Sequence, residues 1–136
     1  MITNVLEYLE QAVSYETQYA LADENEVITY RQLLDASQKV GTYILERGEW
    51  KNQPIAVLID RNVLSIILFL GIVYSGNFYV PIDPTMPEHR IELIMNTLKP
   101  VMVMSAVEEK YSKGHEVILK ADWIFSSNMV NWFSFL

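Results

Sequence analysis

The stretch that most constrains this 136-residue chain runs from Arg61 to Pro84, RNVLSIILFLGIVYSGNFYVPIDP. Its first part reads as a helix with almost no polar face. Ile66, Ile67, Leu68, Phe69, Leu70, Ile72 and Val73 surround nearly its whole circumference. A helix of that kind has to be covered on both sides. Asn62 is the expected N-cap, the helix runs to Ser75, and Gly76 supplies the left-handed residue beyond its end. Phe78-Tyr79-Val80 then reads as a strand. Pro81 has no N–H, so it belongs at a strand end and not in a central ladder.

No residue from Asn62 to Ile82 is charged, and the stretch has about the length of a membrane span. Gly71, Gly76, Asn77 and Pro81 interrupt it, and no basic cluster lies on either flank. A buried helix followed by a strand is favoured. A single span from Asn62 to Ile82 is the lesser alternative.

The flanking sequence supplies partners for this helix and strand. Pro54 opens Ile55-Ala56-Val57-Leu58-Ile59, a continuous apolar run suited to a strand covered on both faces. After the Pro-Ile-Asp-Pro turn, Pro87 sits in the first turn of a helix whose Ile91, Ile94, Met95 and Leu98 share one stripe. Lys99-Pro100 stops it, and Val101 to Met104 is the next strand. Strand, helix, strand, helix and strand at this spacing make a βαβαβ unit with a parallel sheet.

Upstream, Asn4 and Glu7 predict a capped helix ending near Tyr15. Residues 19–23 and 26–29 predict two strands joined as a hairpin. Thr29 and Gln32 form a second capping box. The helix after it carries Leu33, Ala36, Ser37, Val40 and Ile44 on one stripe, with Gln32, Asp35 and Lys39 off it, and Gly48 is its expected left-handed cap. Downstream, one helical turn is expected over 106–111 and a strand over 117–119. Residues 123–136 hold no charge and no clean period.

Composition closes several routes. With 51% apolar and 12% aromatic residues the chain is not globally disordered. A net charge of −7 without a Lys/Arg cluster argues against nucleic acid and against anionic membranes. The absence of Cys removes disulfides, thiol nucleophiles and thiolate zinc sites. The first residues carry acids where a signal peptide needs cations. A cytoplasmic protein is expected.

Chemistry-bearing patterns are sparse. Gly41, Gly48, Gly71, Gly76 and Gly114 fit no phosphate-cradling motif. His89 is expected on a solvent face and His115 in a turn, neither with a ligand-spaced partner. Asp60 and Asp83 fall at the carboxyl ends of predicted parallel strands, where open α/β sheets place ligands. The favoured reading is that each carboxylate accepts N–H bonds of its own turn. Glu108 and Glu109 read as solvated surface, and the methionines as core.

Residues 70–84, ending in Tyr79-Val80-Pro81-Ile82-Asp83-Pro84, resemble the second core motif of amino-acid adenylation domains in nonribosomal peptide synthetases, L-K-A-G-x-A-Y-V-P-I-D. Ile28-Thr29-Tyr30-Arg31-Gln32-Leu33 is similar to their first core motif, L-T-Y-x-E-L. Met86 to Ile91 is similar to the start of the next family helix, and Ala56-Val57-Leu58 with Arg61 to the strand and turn before it. Tyr74, Ser75 and Phe78 depart from the pattern, standing where lysine, alanine and a small residue are usual.

The resemblance implies a three-layer α/β fragment with a mostly parallel sheet, the start of the large N-terminal domain of adenylate-forming enzymes. Residues 1–120 would form this partial domain, and 121–136 an apolar tail outside the pattern, as in a truncated chain. The implied parent activity uses ATP and Mg²⁺ to turn an amino acid or other carboxylate into an acyl-adenylate, releasing pyrophosphate. The acyl group then passes to the phosphopantetheine thiol of a carrier protein. The family's phosphate loop and catalytic lysine have no counterpart in these residues. No catalytic, cofactor-binding or metal residue is therefore assigned, and the chain alone is expected to be inactive and poorly soluble. By the resemblance, Gly71 and Gly76 serve helix packing and the cap, while Tyr79, Pro81 and Asp83 fix the strand-to-loop turn. The alternative is a small α/β module that docks on a partner, such as the remaining adenylation-domain segments or a carrier protein.

Overall fold

The structure, a computed structural model, describes residues 5–12, 17–107 and 117–118. In chain order these form α1 (Val5–Ala12), β1 (Tyr19–Ala22), β2 (Val27–Thr29), α2 (Tyr30–Arg47), β3 (Pro54–Leu58) and α3 (Val63–Tyr74). β4 (Phe78–Ile82), α4 (Glu88–Leu98), β5 (Met102–Ser105) and β6 (Val117–Ile118) follow. β1 and β2 make the expected antiparallel hairpin. The other strands form one parallel sheet in the order β4-β3-β5-β6.

The sheet is the middle of three layers. Ile55 and Val57 turn to one face with Met102 and Met104, and there they meet α2 and α3 through Val40, Ile44, Ile67, Leu68 and Ile72. Ala56, Leu58 and Val103 turn to the other face, where Ile82 joins them under Ile91 and Met95 of α4. The apolar run of β3 is thus explained: alternate side chains feed two separate cores. β4 is an edge strand, which is where Pro81 is tolerated.

The helix ends follow their sequence signals in most places. Thr29 Oγ1 accepts from Gln32 N at 3.2 Å, and Gln32 Oε1 accepts from Thr29 N at 2.9 Å, closing the capping box. Asn62 Oδ1 accepts from Ser65 N at 3.0 Å. Gly76 has φ +83°, a left-handed conformation suited to glycine. The stripe Leu33, Ala36, Ser37, Val40 and Ile44 is buried throughout.

Several expectations need correction. Gly48 is extended, with φ −173°, and is not a left-handed cap. What its small size admits is the ring of Trp50, whose Cε2 would lie 2.6 Å from an added Cβ. The left-handed cap without glycine lies elsewhere, at Lys99 with φ 50°, whose N–H donates to Met95 O at 2.9 Å. Lys39 is buried at 8% exposure and does not stand clear of the packed face of α2. Pro87 is the N-cap of α4 and precedes its first turn. β4 runs on through Pro81 to Ile82, and β5 starts one residue later than expected, at Met102. Asp23 lies beyond β1, in the hairpin turn, and α3 ends at Tyr74 with Ser75 as its C-cap.

Among the described residues no helix is long and apolar enough to cross a membrane, which removes the single-span alternative for Asn62 to Ile82. The expected features at Asn4, at 13–15, and at 108–116 and 119–136, including His115, Glu108 and Glu109, lie outside the described residues.

Candidate functional site

The two helical connections of the parallel sheet leave on opposite faces. β3 leads to α3 on one side, and its neighbour β4 leads to α4 on the other. Between the carboxyl ends of two such strands the backbones diverge and open a crevice. A cavity of about 940 Å³ lies there. Asp60, Arg61 and Asn62 line it after β3, Asp83 and Thr85 after β4, Ala106 and Val107 after β5, and Asn25 from the hairpin turn. A second groove of about 370 Å³ adjoins it, lined by Leu21, Ile59, Ile66 and Phe69 and the same β3–α3 turn.

Both aspartates singled out in the sequence reach this crevice, and both hold their own turns. Asp60 Oδ1 accepts from Arg61 N at 2.7 Å. Asp83 Oδ1 accepts from Thr85 Oγ1 at 2.7 Å and from Thr85 N at 2.9 Å. The hydroxyl bond foremost, then the backbone bond, holds the Asp83 carboxyl below the usual carboxylate range, against a small opposing effect of desolvation. His89 is exposed on α4 and takes no part in the crevice.

The start of α3 is a hub that sequence reasoning missed. Asp23 Oδ2 accepts from Val63 N at 2.7 Å, while its Oδ1 accepts from Asn25 N and Glu26 N at 2.8 Å each. Asn62 Nδ2 donates to Ala106 O at 2.8 Å, tying the helix cap to the end of β5. Ser65 Oγ donates to Asp60 O at 2.8 Å and accepts from Asp60 N at 3.0 Å. The local signal was only an acid at the end of a predicted strand, and nothing in it named a helix forty residues away as its partner.

At the opposite end of α3, Ser75 and Asn77 form a buried knot. Asn77 Oδ1 accepts from Gln53 N at 3.1 Å, and Asn77 Nδ2 donates to Ser75 Oγ at 3.0 Å. Ser75 Oγ donates to Ile72 O at 2.6 Å. Ser75 stands where the adenylation-domain motif usually has alanine, and its hydroxyl here closes the helix end. Tyr74, which replaces the motif's lysine, donates to Glu10 Oε1 at 3.4 Å. Burial, then the Glu10 charge and this hydrogen bond, push its phenol up to about 12, with Gln38 opposing.

The crevice does not by itself fit a nucleotide triphosphate. A helix N-terminus is the usual seat for a phosphate. Here Val63 N is taken by Asp23 and Ser65 N by Asn62. The lining brings two carboxylates against one guanidinium, that of Arg61. Among the described residues, no group of three His, Asp or Glu is placed to hold a metal ion. The arrangement positions backbone and turns.

Comparison with known proteins gives this scaffold its class. Residues 9–131 match the family described as AMP-binding enzyme. Gramicidin S synthase 2 of Brevibacillus brevis is 30% identical over 115 residues, which is 85% of this chain and 3% of that protein. Bacitracin synthase 3 of Bacillus licheniformis is 32% identical over 117 residues, 86% of this chain and 2% of that protein.

Among solved structures, the nonribosomal peptide synthetase FmoA3 in its alpha-methyl-L-serine-AMP-bound form superposes with a TM-score of 0.77 at 22% identity, covering 88% of this chain and 14% of its own. PA1221, a nonribosomal peptide synthetase protein containing adenylation and PCP domains, gives 0.73 at 23%, over 84% of this chain and 23% of its own. The N-terminal subdomain of NpsA from Klebsiella oxytoca gives 0.74 at 18%, over 93% of this chain and 33% of its own. The chain belongs to the AMP-binding enzyme family, and its fold is similar to that of the nonribosomal peptide synthetases FmoA3 and PA1221. It spans only a few per cent of the length of the curated relatives it matches, 3% in the case of gramicidin S synthase 2.

Proposed function

We propose that this chain supplies the N-terminal scaffold of an adenylation domain. The complete domain would activate an amino acid or another carboxylic acid with ATP and Mg²⁺, forming an acyl-adenylate and releasing pyrophosphate. It would then hand the acyl group to the phosphopantetheine thiol of a carrier protein. The observation that carries this reading is the β3–α3–β4 unit, whose motif residues 70–84 lie within the family match at 9–131. PA1221, with its adenylation and PCP domains, supports a carrier protein as partner. On this reading the chain works in the cytoplasm.

Within such a domain these residues hold strands and turns in place, and the groups that stabilise the developing charge on the phosphates come from other segments. Oriented donors and cations are what phosphoryl and adenylyl chemistry require, and the Val63 and Ser65 amides at the start of α3 are already engaged. The test is ATP–pyrophosphate exchange with a panel of amino acids. The 136-residue chain alone is expected to give no exchange above background. The same chain joined to the downstream part of an adenylation domain is expected to give exchange dependent on one or a few acids. Exchange by the isolated chain would overturn the scaffold role, and none from any joined form would overturn the adenylation reading.

A further inference from the structure

The two lips of the strand-end crevice are built differently. On one lip, hydrogen bonds run from element to element. Asp23 Oδ2, in the hairpin turn, accepts at 2.7 Å from Val63 N at the start of α3. Asn62, the cap of that helix, uses both ends of its amide. Oδ1 accepts from Ser65 N at 3.0 Å and from Ser65 Oγ at 3.1 Å, while Nδ2 donates to Ala106 O at 2.8 Å. Ala106 is also held through its own N–H, which donates to Leu58 O at 2.9 Å. The hairpin turn and the exit of β5 are therefore joined through the first turn of α3.

The other lip is self-contained. Asp83 Oδ1 accepts from Thr85 N and Thr85 Oγ1, and Met86 N donates to Asp83 O at 3.2 Å. Among the described residues, the hydrogen bonds of residues 83–86 stay within that turn. Met86 packs on the core beneath α4, on the other side of the sheet from α3.

We propose that the first turn of α3 is a relay. Through Asp23 and Asn62 it couples the hairpin turn to the exit of β5, so this lip of the crevice opens as one unit while the 83–86 turn moves independently. The two links grip neighbouring residues of a single helical turn. When Asp23 lets go, Val63 N loses its acceptor and the helix end frays. Asn62 adjoins it, so its hold on Ala106 O loosens as well. Members of one hydrogen-bond network are coupled in this way. A molecule entering the crevice beside Asn25, in the hairpin turn, would be felt at Ala106 and not at Thr85. The relay uses this chain's own side chains and stands apart from the adenylation reading.

The test is amide hydrogen exchange, read residue by residue by NMR on the full 136-residue chain. Asp23→Ala should speed exchange at Val63 and Ala106 by about twofold or more beyond any change at Val57 in the middle of the sheet. Thr85 and Met86 should change no more than Val57. Asn62→Ser is the second variant. Serine still caps a helix, but it lacks the amide that donates to Ala106 O. It should speed Ala106 while Val63 keeps its protection. In the Asn62→Ser chain, adding Asp23→Ala should speed Val63 and bring no further change at Ala106 beyond that at Val57. Asp83→Ala should speed Thr85 and leave Val63 and Ala106 as they were.

Acceleration at Val63 without Ala106, or equal acceleration at Val57, would overturn the relay. So would an undiminished effect of Asp23→Ala on Ala106 in the Asn62→Ser chain. Thr85 rising with Ala106 would overturn the independence of the two lips. A wild-type chain with no protection at Val63 and Ala106 would overturn both.

Discussion

Asp23 in the β1–β2 turn accepts a hydrogen bond of 2.7 Å from the amide of Val63, the first residue of α3. The carboxylate meets both an otherwise unpaired N–H and the positive end of the helix dipole. The same side chain holds Asn25 and Glu26, so one residue shapes the hairpin turn and fastens it to the core helix.

Asp23→Ala should therefore cost about 1–3 kcal/mol, the range for removing a charged acceptor from part-buried donors. Asp23→Asn keeps one acceptor oxygen but sets an NH2 donor where the other oxygen accepted, so it should lose the charge and either the Val63 bond or the Asn25 and Glu26 bonds. Urea denaturation gives the cost. Hydrogen exchange at the Val63 amide should speed up more than exchange in β3.

A Cβ at Gly71 would stand 2.4 Å from Cβ of Val40 and 3.0 Å from Ser37 O, and one at Gly41 would stand 2.9 Å from Tyr74 Cβ. The two glycines let α2 and α3 approach closely. Gly71→Ala should destabilise by about 1–3 kcal/mol through overpacking, despite alanine's better helix propensity. Val40→Ala in the same chain should recover part of that loss. A double-mutant cycle with no coupling would refute the contact.

Asn77→Ala removes the acceptor of Gln53 N and the donor to Ser75 Oγ inside a buried loop. The unpaired groups should cost about 1–3 kcal/mol. Asn77→Asp keeps the acceptor but buries a charge whose second oxygen faces Ser75 O and a hydroxyl already donating to Ile72 O, so at neutral pH it should cost at least as much as alanine. Thermal melts of the three proteins rank them.

Tyr74 is held protonated up to about 12, first by burial and then by Glu10. A group raised in the folded state contributes stability that is intact below its unfolded value near 10 and is lost as pH rises through its folded value. Stability should decline between those two pH values, and Tyr74→Phe should flatten the decline. Spectrophotometric titration of the tyrosinates should show one phenol titrating late in wild type and absent from the variant.

Asp83 titrates in the opposite sense. Its depressed value means that the Asp83–Thr85 turn contributes above the ordinary carboxylate range and is lost as pH falls through the folded value. Thr85→Ala removes the hydroxyl that contributes most, so the Asp83 carboxyl should titrate closer to its normal value by NMR.

Elements with a local physical cause were legible in the chain. The all-apolar helix, the doubly buried strand Pro54–Leu58, the Thr29/Gln32 capping box, the Asn62 cap and the left-handed Gly76 each follow from spacing or side-chain chemistry within a few residues. Family membership was legible too, because residues 70–84 encode a helix end, a strand and a turn in one continuous run. Asp60 and Asp83 could be placed at strand ends, since a βαβαβ pattern determines which ends share an edge.

What depended on contacts between distant segments was decided only by the tertiary structure. Asp23 read as the end of a strand, and only the folded chain places it in the hairpin turn against α3. Lys39 reads as a solvent position on a helical wheel, yet neighbouring packing covers it; burial lowers the pull of its ammonium for a proton, while Asp35 opposes that shift. Gly48 looked like a left-handed cap and instead makes room for Trp50, a contact no helix-end rule contains. The sequence alone required that α3 be covered on two sides. Among the described residues the fold covers one side with α2 and the sheet and leaves the stripe from Ile66 to Val73 only partly covered, because hydrophobic patterning states how much surface must be buried but not which segment buries it.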